Sequence, residues 1–186
     1  MVYCFFEGEV EIVEIQLFNG EKEELTNLLC SNDWMYHSNP HLENESIQKA
    51  VENGYYSNGR ETFWIILDIK KVGIIIIDDI DDTIPLFDIR LTEGARGKNI
   101  GTQALLWLKD YLFGEKQKVR IEGYTRADNL AMRKCFTKAE FVKEGYLRSA
   151  WENEDGTMSD TVLYGAIFDD WKENRITKSK IDVLPY

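Results

Sequence analysis

Arg96-Gly97-Lys98-Asn99-Ile100-Gly101-Thr102 follows a strand-like apolar run, Leu86 to Leu91, and opens a stretch in which Ile100, Ala104, Leu108 and Leu112 fall on one helical face. A strand, a basic glycine turn and a helix in that order leave unpaired N–H groups, and the positive end of the helix dipole, at the turn. Such a turn can cradle a pyrophosphate. Gly97 and Gly101 let backbone approach a ligand with no Cβ in the way, and Arg96 and Lys98 add charge-assisted contacts. The turn is not a Walker A loop, because Asn99 stands where a magnesium-binding Ser or Thr is needed, and it does not spell G-x-G-x-x-G.

Outward from this turn the pattern is mixed α/β. Val10 to Gln16 alternates like a half-buried strand, and Asn19-Gly20 offers a cap for a helix marked by Leu25, Leu28 and Leu29. Trp34 to His41 reads as an irregular, aromatic-rich segment of the kind that lines pockets, and Ser46 to Tyr55 as a second short helix. Thr62 to Leu67 and Val72 to Ile77, joined by Asp68-Ile69-Lys70-Lys71, predict a hairpin buried on both faces. Beyond the turn, the central helix ends near Gly114, Val119 to Thr125 is the next strand and Asn129 to Ala139 the next helix. Phe141 to Ser149 and Thr161 to Ile167 close the pattern as a hairpin whose Asp155-Gly156 pair is a turn signal.

Nothing divides the chain, so residues 1–186 are expected to form one domain, large enough to bury roughly 70% of the surface its unfolded form exposes. Cys4, Cys30 and Cys135 are odd in number and widely spaced, with no metal-ligand spacing, which reads as free thiols in a reducing compartment. The Met1 to Glu7 segment lacks the features of a signal peptide, so the expected location is the cytosol. A formal charge of −11, from 33 acidic against 22 basic residues, opposes binding to nucleic acid or to an anionic membrane and favours a cationic partner.

With its surroundings, Arg96-Gly97-Lys98-Asn99-Ile100-Gly101 resembles the signature of the GNAT superfamily of N-acetyltransferases, Arg/Gln-x-x-Gly-x-Gly/Ala, with Asn99 in a usual glycine position. Asn tolerates positive φ, so the turn survives. Asn129, Phe136, Lys138, Ala139 and Phe141 are similar to the superfamily's Asn-containing helix and the turn that ends it, with Glu140 replacing glycine. Lys143 to Arg148, Asp155-Gly156, Asp160, Tyr164-Gly165 and Trp171 look like the RimJ/RimL-like branch, which contains enzymes that acetylate α-amino groups of ribosomal proteins together with some antibiotic and small-amine acetyltransferases. The likeness is specific over about residues 84 to 171. It implies a mixed, mostly antiparallel sheet of about seven strands flanked by helices and splayed between the fourth and fifth strands.

The resemblance implies acetyl-CoA as co-substrate and direct attack on its thioester by an amine, which requires alignment of both substrates and removal of a proton. Backbone N–H groups of Ile89 or Leu91 would bind the pantetheine arm or the thioester oxygen, and residues 96–102, Arg96 to Thr102, the phosphates. Asn129 would touch pantetheine or an ordered water while capping its helix. Glu122 and Asp88 are the candidate bases. Each has an alternative reading as a solvated residue or as an ion-pair partner of Arg90 or Arg120. The superfamily's usual thiolate-protonating tyrosine position holds Phe136, leaving Tyr124, water or departure as thiolate. An aminoglycoside acetyltransferase and a catalytically silent CoA-binding module stay open beside a peptide, polyamine or small-amine acetyltransferase. Oligomeric state, monomer or homodimer, is open as well.

Overall fold

A strand that is apolar at every position needs cover on both faces. The computed structural model describes residues 12–181 and supplies that cover. Its elements are β1 (Glu14–Leu17), α1 (Lys22–Cys30), α2 (Asn44–Glu52), β2 (Glu61–Leu67), β3 (Lys70–Asp78), β4 (Leu86–Leu91), α3 (Ile100–Lys109), β5 (Arg120–Arg126), α4 (Leu130–Lys138), β6 (Val142–Glu152), β7 (Met158–Ile167) and α5 (Phe168–Glu173). The expectations for Cys4, for Val10 and Glu11 and for the N-terminal residues lie outside the described residues. No helix among those described is long and apolar enough to cross a membrane.

The strands form one sheet of seven in the order β1-β2-β3-β4-β5-β7-β6, antiparallel except for β4 and β5, which run parallel because α3 carries the chain back between them. Side chains alternate across β2 and β3. Trp64, Ile66, Ile74 and Ile76 pack with Leu25, Leu29 and Ile47 of α1 and α2, while Phe63, Ile65, Ile75 and Ile77 pack with Leu105, Leu108 and Leu112 on the side of α3. The sheet thus lies between two helical layers, as the apolar pattern of its central hairpin requires.

Local details differ from the sequence reading where backbone conformation decides them. The central hairpin turns in two residues, Asp68 and Ile69, at φ 47° and 63°, so Lys70 already belongs to β3. Asn19 does not cap α1; its N–H instead donates to the Glu21 carboxylate at 2.7 Å. The last hairpin is longer than expected, with bulges between Lys143 and Gly145 and between Leu147 and Trp151. α5, which the sequence reading left unassigned, is tied down by Trp171 Nε1–H donating to Asp110 at 2.7 Å.

α4 ends in a Schellman motif, with Phe141 N–H to Phe136 O at 2.9 Å and Glu140 N–H to Thr137 O at 3.1 Å, which holds Glu140 at φ 64°. That is the position at which the resemblance has glycine. The motif directs Phe136 inward, where its ring stacks on Tyr164 at 4.6 Å and meets Phe141 and Phe87 edge-on at 5.2 Å and 6.1 Å. Phe136 is 1% exposed and wedges beneath β4 and β5. β5 accommodates it with Gly123: a Cβ there would lie 2.5 Å from the Phe136 ring. Because that ring is stacked on Tyr164, the cross-strand neighbour of Gly123, Gly123→Ala is expected to destabilise the fold by about 1–3 kcal/mol, read as a lower midpoint in urea unfolding at unchanged m-value.

Candidate functional site

β4 and β5 pair at one position, Leu86 with Glu122, and diverge toward their C-terminal ends. Thr92 N–H donates to Val72 O at 2.9 Å, which sets the alternation along β4. Even-numbered residues turn their backbone groups to β3, and Ile89 and Leu91 turn theirs into the gap. The sheet offers those N–H groups no partner there. A cleft between parallel strands lined by unpaired donors therefore opens directly into the turn that precedes α3.

That turn has the conformation its sequence suggests. Gly97 stands at φ 78° and Asn99 at φ 64°, the left-handed region that asparagine tolerates. The first i→i−4 bond of α3 is Gln103 N–H to Asn99 O, so the N–H groups of Ile100, Gly101 and Thr102 have no acceptor in the helix, and the Asn99 side chain does not cap them. A Cβ on Gly97 would meet open space. Lys98 is exposed and makes no hydrogen bond or ion pair among the described residues. These features fit a multiply charged anion such as a pyrophosphate.

Two residues of the turn work differently from expectation. Arg96 donates from Nε to Leu91 O at 2.9 Å and from Nη2 to Asp33 O at 3.0 Å, so it ties the open end of β4 to the α1–α2 connection. Gly101 faces the protein: a Cβ there would lie 3.2 Å from Cys135 Sγ, so its lack of a side chain lets α3 approach α4. Cys135 itself is a half-buried free thiol whose pKa burial pushes up, a packing role rather than a nucleophilic one. Asn129 caps α4, its side-chain oxygen accepting from Met132 N–H at 3.1 Å.

On the opposite face of the gap, β4 presents Asp88 and Arg90, and β5 presents Glu122, Tyr124 and Arg126. Asp88 accepts from Arg90 Nε and Nη2 at 2.9 and 2.8 Å. Glu122 accepts from Arg120 Nε at 2.7 Å and from the Tyr124 hydroxyl at 3.0 Å. Burial, and then the bond to Glu122, push the Tyr124 pKa up. Arg120 also reaches Glu144. Both candidate carboxylates thus sit in the ion pairs that the sequence reading held as their alternative.

The α1–α2 connection crosses this face and touches both arms. Trp34 is buried at 2% exposure beside Arg90 and Arg96, and Met35 O accepts from Arg126 Nη1 at 3.2 Å while Arg126 lies over the Tyr36 ring. His37 fills the space between, edge-on to Trp34, with Nδ1 3.8 Å from Asp88 Oδ1. Burial pushes its pKa below the ordinary imidazole value; Asp88 opposes the shift, and Arg90 and Arg96 add to it. The aromatic-rich pattern of residues 34–41 suggests pocket lining without singling out His37, although it is one of two histidines in the chain. That scarcity, inside an aromatic segment, was the available signal.

A family model described as an acetyltransferase (GNAT) domain matches residues 15–142. No curated protein matches the sequence. Among solved structures, RimL, a ribosomal L7/L12 alpha-N-protein acetyltransferase in complex with coenzyme A, superposes with a TM-score of 0.74 at 20% identity, over 84% of this chain and 94% of that one. A dodecameric spermidine N-acetyltransferase from Vibrio cholerae superposes with a TM-score of 0.72 at 14% identity, over 87% of this chain and 97% of that one. At such identities the likeness is one of fold.

The left-handed conformation of Asn99 sets an expected order of stability. Asn99→Ala should lose about 1 kcal/mol and Asn99→Gly should lose nothing, measured by urea unfolding; an alanine variant as stable as the glycine variant would contradict the positive φ.

Proposed function

Because this chain belongs to the GNAT acetyltransferase family and is an acyltransferase, we propose that it moves the acetyl group of acetyl-CoA to a primary amine by direct attack within a ternary complex. The observation that carries the proposal is the continuity of the β4–β5 gap with the turn before α3. Unpaired N–H groups of Ile89 and Leu91 lead to those of Ile100 to Thr102, one set suited to an amide-bearing arm and a thioester oxygen, the other to phosphates. When bound there, acetyl-CoA supplies an activated acyl group whose leaving thiol has a pKa near ~8.5.

The residues act in three groups. Gly97, Lys98, Asn99, Ile100, Gly101 and Thr102 form the phosphate cradle, Gly101 by letting the helix seat against α4, and Arg96 holds the cradle to β4. Ile89 and Leu91 supply backbone donors, and Asn129 fixes the start of α4. Asp88 and Glu122 supply the carboxylates on the acceptor side, where the α1–α2 connection covers the gap. The neighbours that act on a protein α-amine and on spermidine support an amine acceptor of one of those kinds. The charge of −11 and the exposed Glu43, Glu152, Glu154 and Asp155 favour a cationic one.

A second reading, a CoA-binding module without turnover, is favoured by Phe136, whose buried ring has no proton for a thiolate. Tyr124, partly exposed and bonded to Glu122, is the hydroxyl that could take that part.

Thiol release from acetyl-CoA with a panel of α-amino peptides, polyamines and aminoglycosides separates these readings. Turnover is expected with a cationic amine, and kcat/KM should fall as salt rises toward physiological strength. Binding without thiol release on any acceptor would favour the silent module. Lys98→Glu should weaken acetyl-CoA binding about tenfold or more in titration calorimetry while leaving unfolding unchanged, because Lys98 has no structural contact to lose. Unaltered affinity would remove the phosphates from this turn.

A further inference from the structure

We propose that His37 is the proton acceptor for the incoming amine and that Asp88 orients its ring. The assignment rests on the acyl-transfer reading above and adds a residue to it. An alkylamine at neutral pH carries a proton that must leave before nitrogen can attack, so the site needs a basic atom with a free lone pair beside the gap. Asp88, Glu122 and His37 are the candidate bases on the proposed acceptor face, and they differ in how far other donors already engage them. Both Glu122 oxygens already accept hydrogen bonds, from Arg120 and Tyr124. Asp88 Oδ2 accepts two from Arg90, and Oδ1 faces His37. Neither ring nitrogen of His37 makes a hydrogen bond among the described residues, the 3.8 Å separation from Asp88 being too long for one.

Position agrees with availability. Asp88 and Arg90 flank Ile89, whose N–H faces the gap, so the groups that hold His37 belong to the same three residues as the proposed carbonyl donor. The charged groups facing His37 are Asp88 and Arg90 from β4 and Arg96 from the turn before α3, with the Trp34 ring packed beside it. Burial and two cations outweigh one carboxylate, which keeps the imidazole neutral at pH 7. With Nδ1–H directed to Asp88, the lone pair is on Nε2, and a shift of under ~1 Å closes the Nδ1–Asp88 bond once the ring becomes cationic.

In the proposed step His37 Nε2 takes one proton from R–NH3+. The nitrogen lone pair forms the C–N bond to the acetyl carbonyl carbon, and the C–S bond breaks with its electron pair on sulphur. The nitrogen then releases a second proton, which the thiolate takes directly or through Tyr124 or water. His37 returns its proton to solvent. R–NH3+ and the thioester thus become amide, free thiol and one proton.

The test combines kinetics with a readout that needs no acceptor. In an NMR titration of the imidazoles, assigned with His37→Gln, His37 should be neutral at pH 7 as the Nδ1–H tautomer, with a midpoint below the ordinary value of about 6.5. His37→Gln should lower kcat/KM about a hundredfold and remove the limb on which wild-type activity rises with pH through that midpoint, while acetyl-CoA affinity persists. Added imidazole should restore part of the activity of His37→Ala. His41→Gln, at the more exposed histidine beside Asp33, should keep wild-type rates. A His37 that is protonated at pH 7, or a His37→Gln enzyme with the wild-type rate and pH profile, would overturn the role alone. Wild-type protein that binds acetyl-CoA yet acetylates no amine would overturn the acyl-transfer reading, and this role with it.

Discussion

β4 and β5 share a single pairing, Leu86 with Glu122, and the rest of the site depends on that restriction. Two parallel strands joined along their length would consume the N–H groups of Ile89 and Leu91 in a ladder and leave no cleft. Divergence leaves those groups as donors, and a sheet can hold such a gap only if something occupies the layer beneath it. Phe136 does so, stacked on Tyr164 and seated in the space left by Gly123. The residue that removes a candidate acid from the chemistry therefore supports the cleft in which the chemistry is proposed to occur.

Two positions where glycine would be the easy choice carry other residues, and each has a local compensation. Asn99 is of the residue type that tolerates a left-handed φ at smallest cost, and its turn still exposes the N–H groups that follow. Glu140 takes the same conformation at the end of α4, held by the two bonds of the Schellman motif and by an ion pair with Lys109 at 3.1 Å. Lys109 is itself buried, and donates to Ala139 O, so the Glu140 side chain settles a buried cation at the place where it strains the backbone. Departures from the family pattern at these points leave the turns intact.

The face of the gap on which the acceptor is proposed to lie is built by contacts between segments far apart in the chain. Arg126 holds Met35 and Tyr36 from one arm, while Asp88, Arg90 and Arg96 surround Trp34 and His37 from the other. The α1–α2 connection thus spans a gap that the sheet itself leaves open. Its contacts combine the buried ring of Trp34 with hydrogen bonds from Arg96 and Arg126 to its backbone and with cations over the Trp34 and Tyr36 rings.

Much of this protein is legible along the chain because the signals are local. The unbroken apolar runs of β2 and β3, the apolar face of α3, the cap at Asn129 and the tolerance of Asn99 for positive φ each depend on residues within a turn or two of one another. The basic glycine turn between strand and helix is legible for the same reason, and it is the place at which a cofactor is proposed to bind. Tertiary structure decided what each side chain meets. It put Gly101 against Cys135, directed Arg96 to Leu91 and Asp33, and engaged both oxygens of Glu122. It also brought His37 to Asp88 from 51 positions away. No periodicity or spacing records such a contact, because the sheet order and the path of a loop create it, and those follow from the packing of the whole chain.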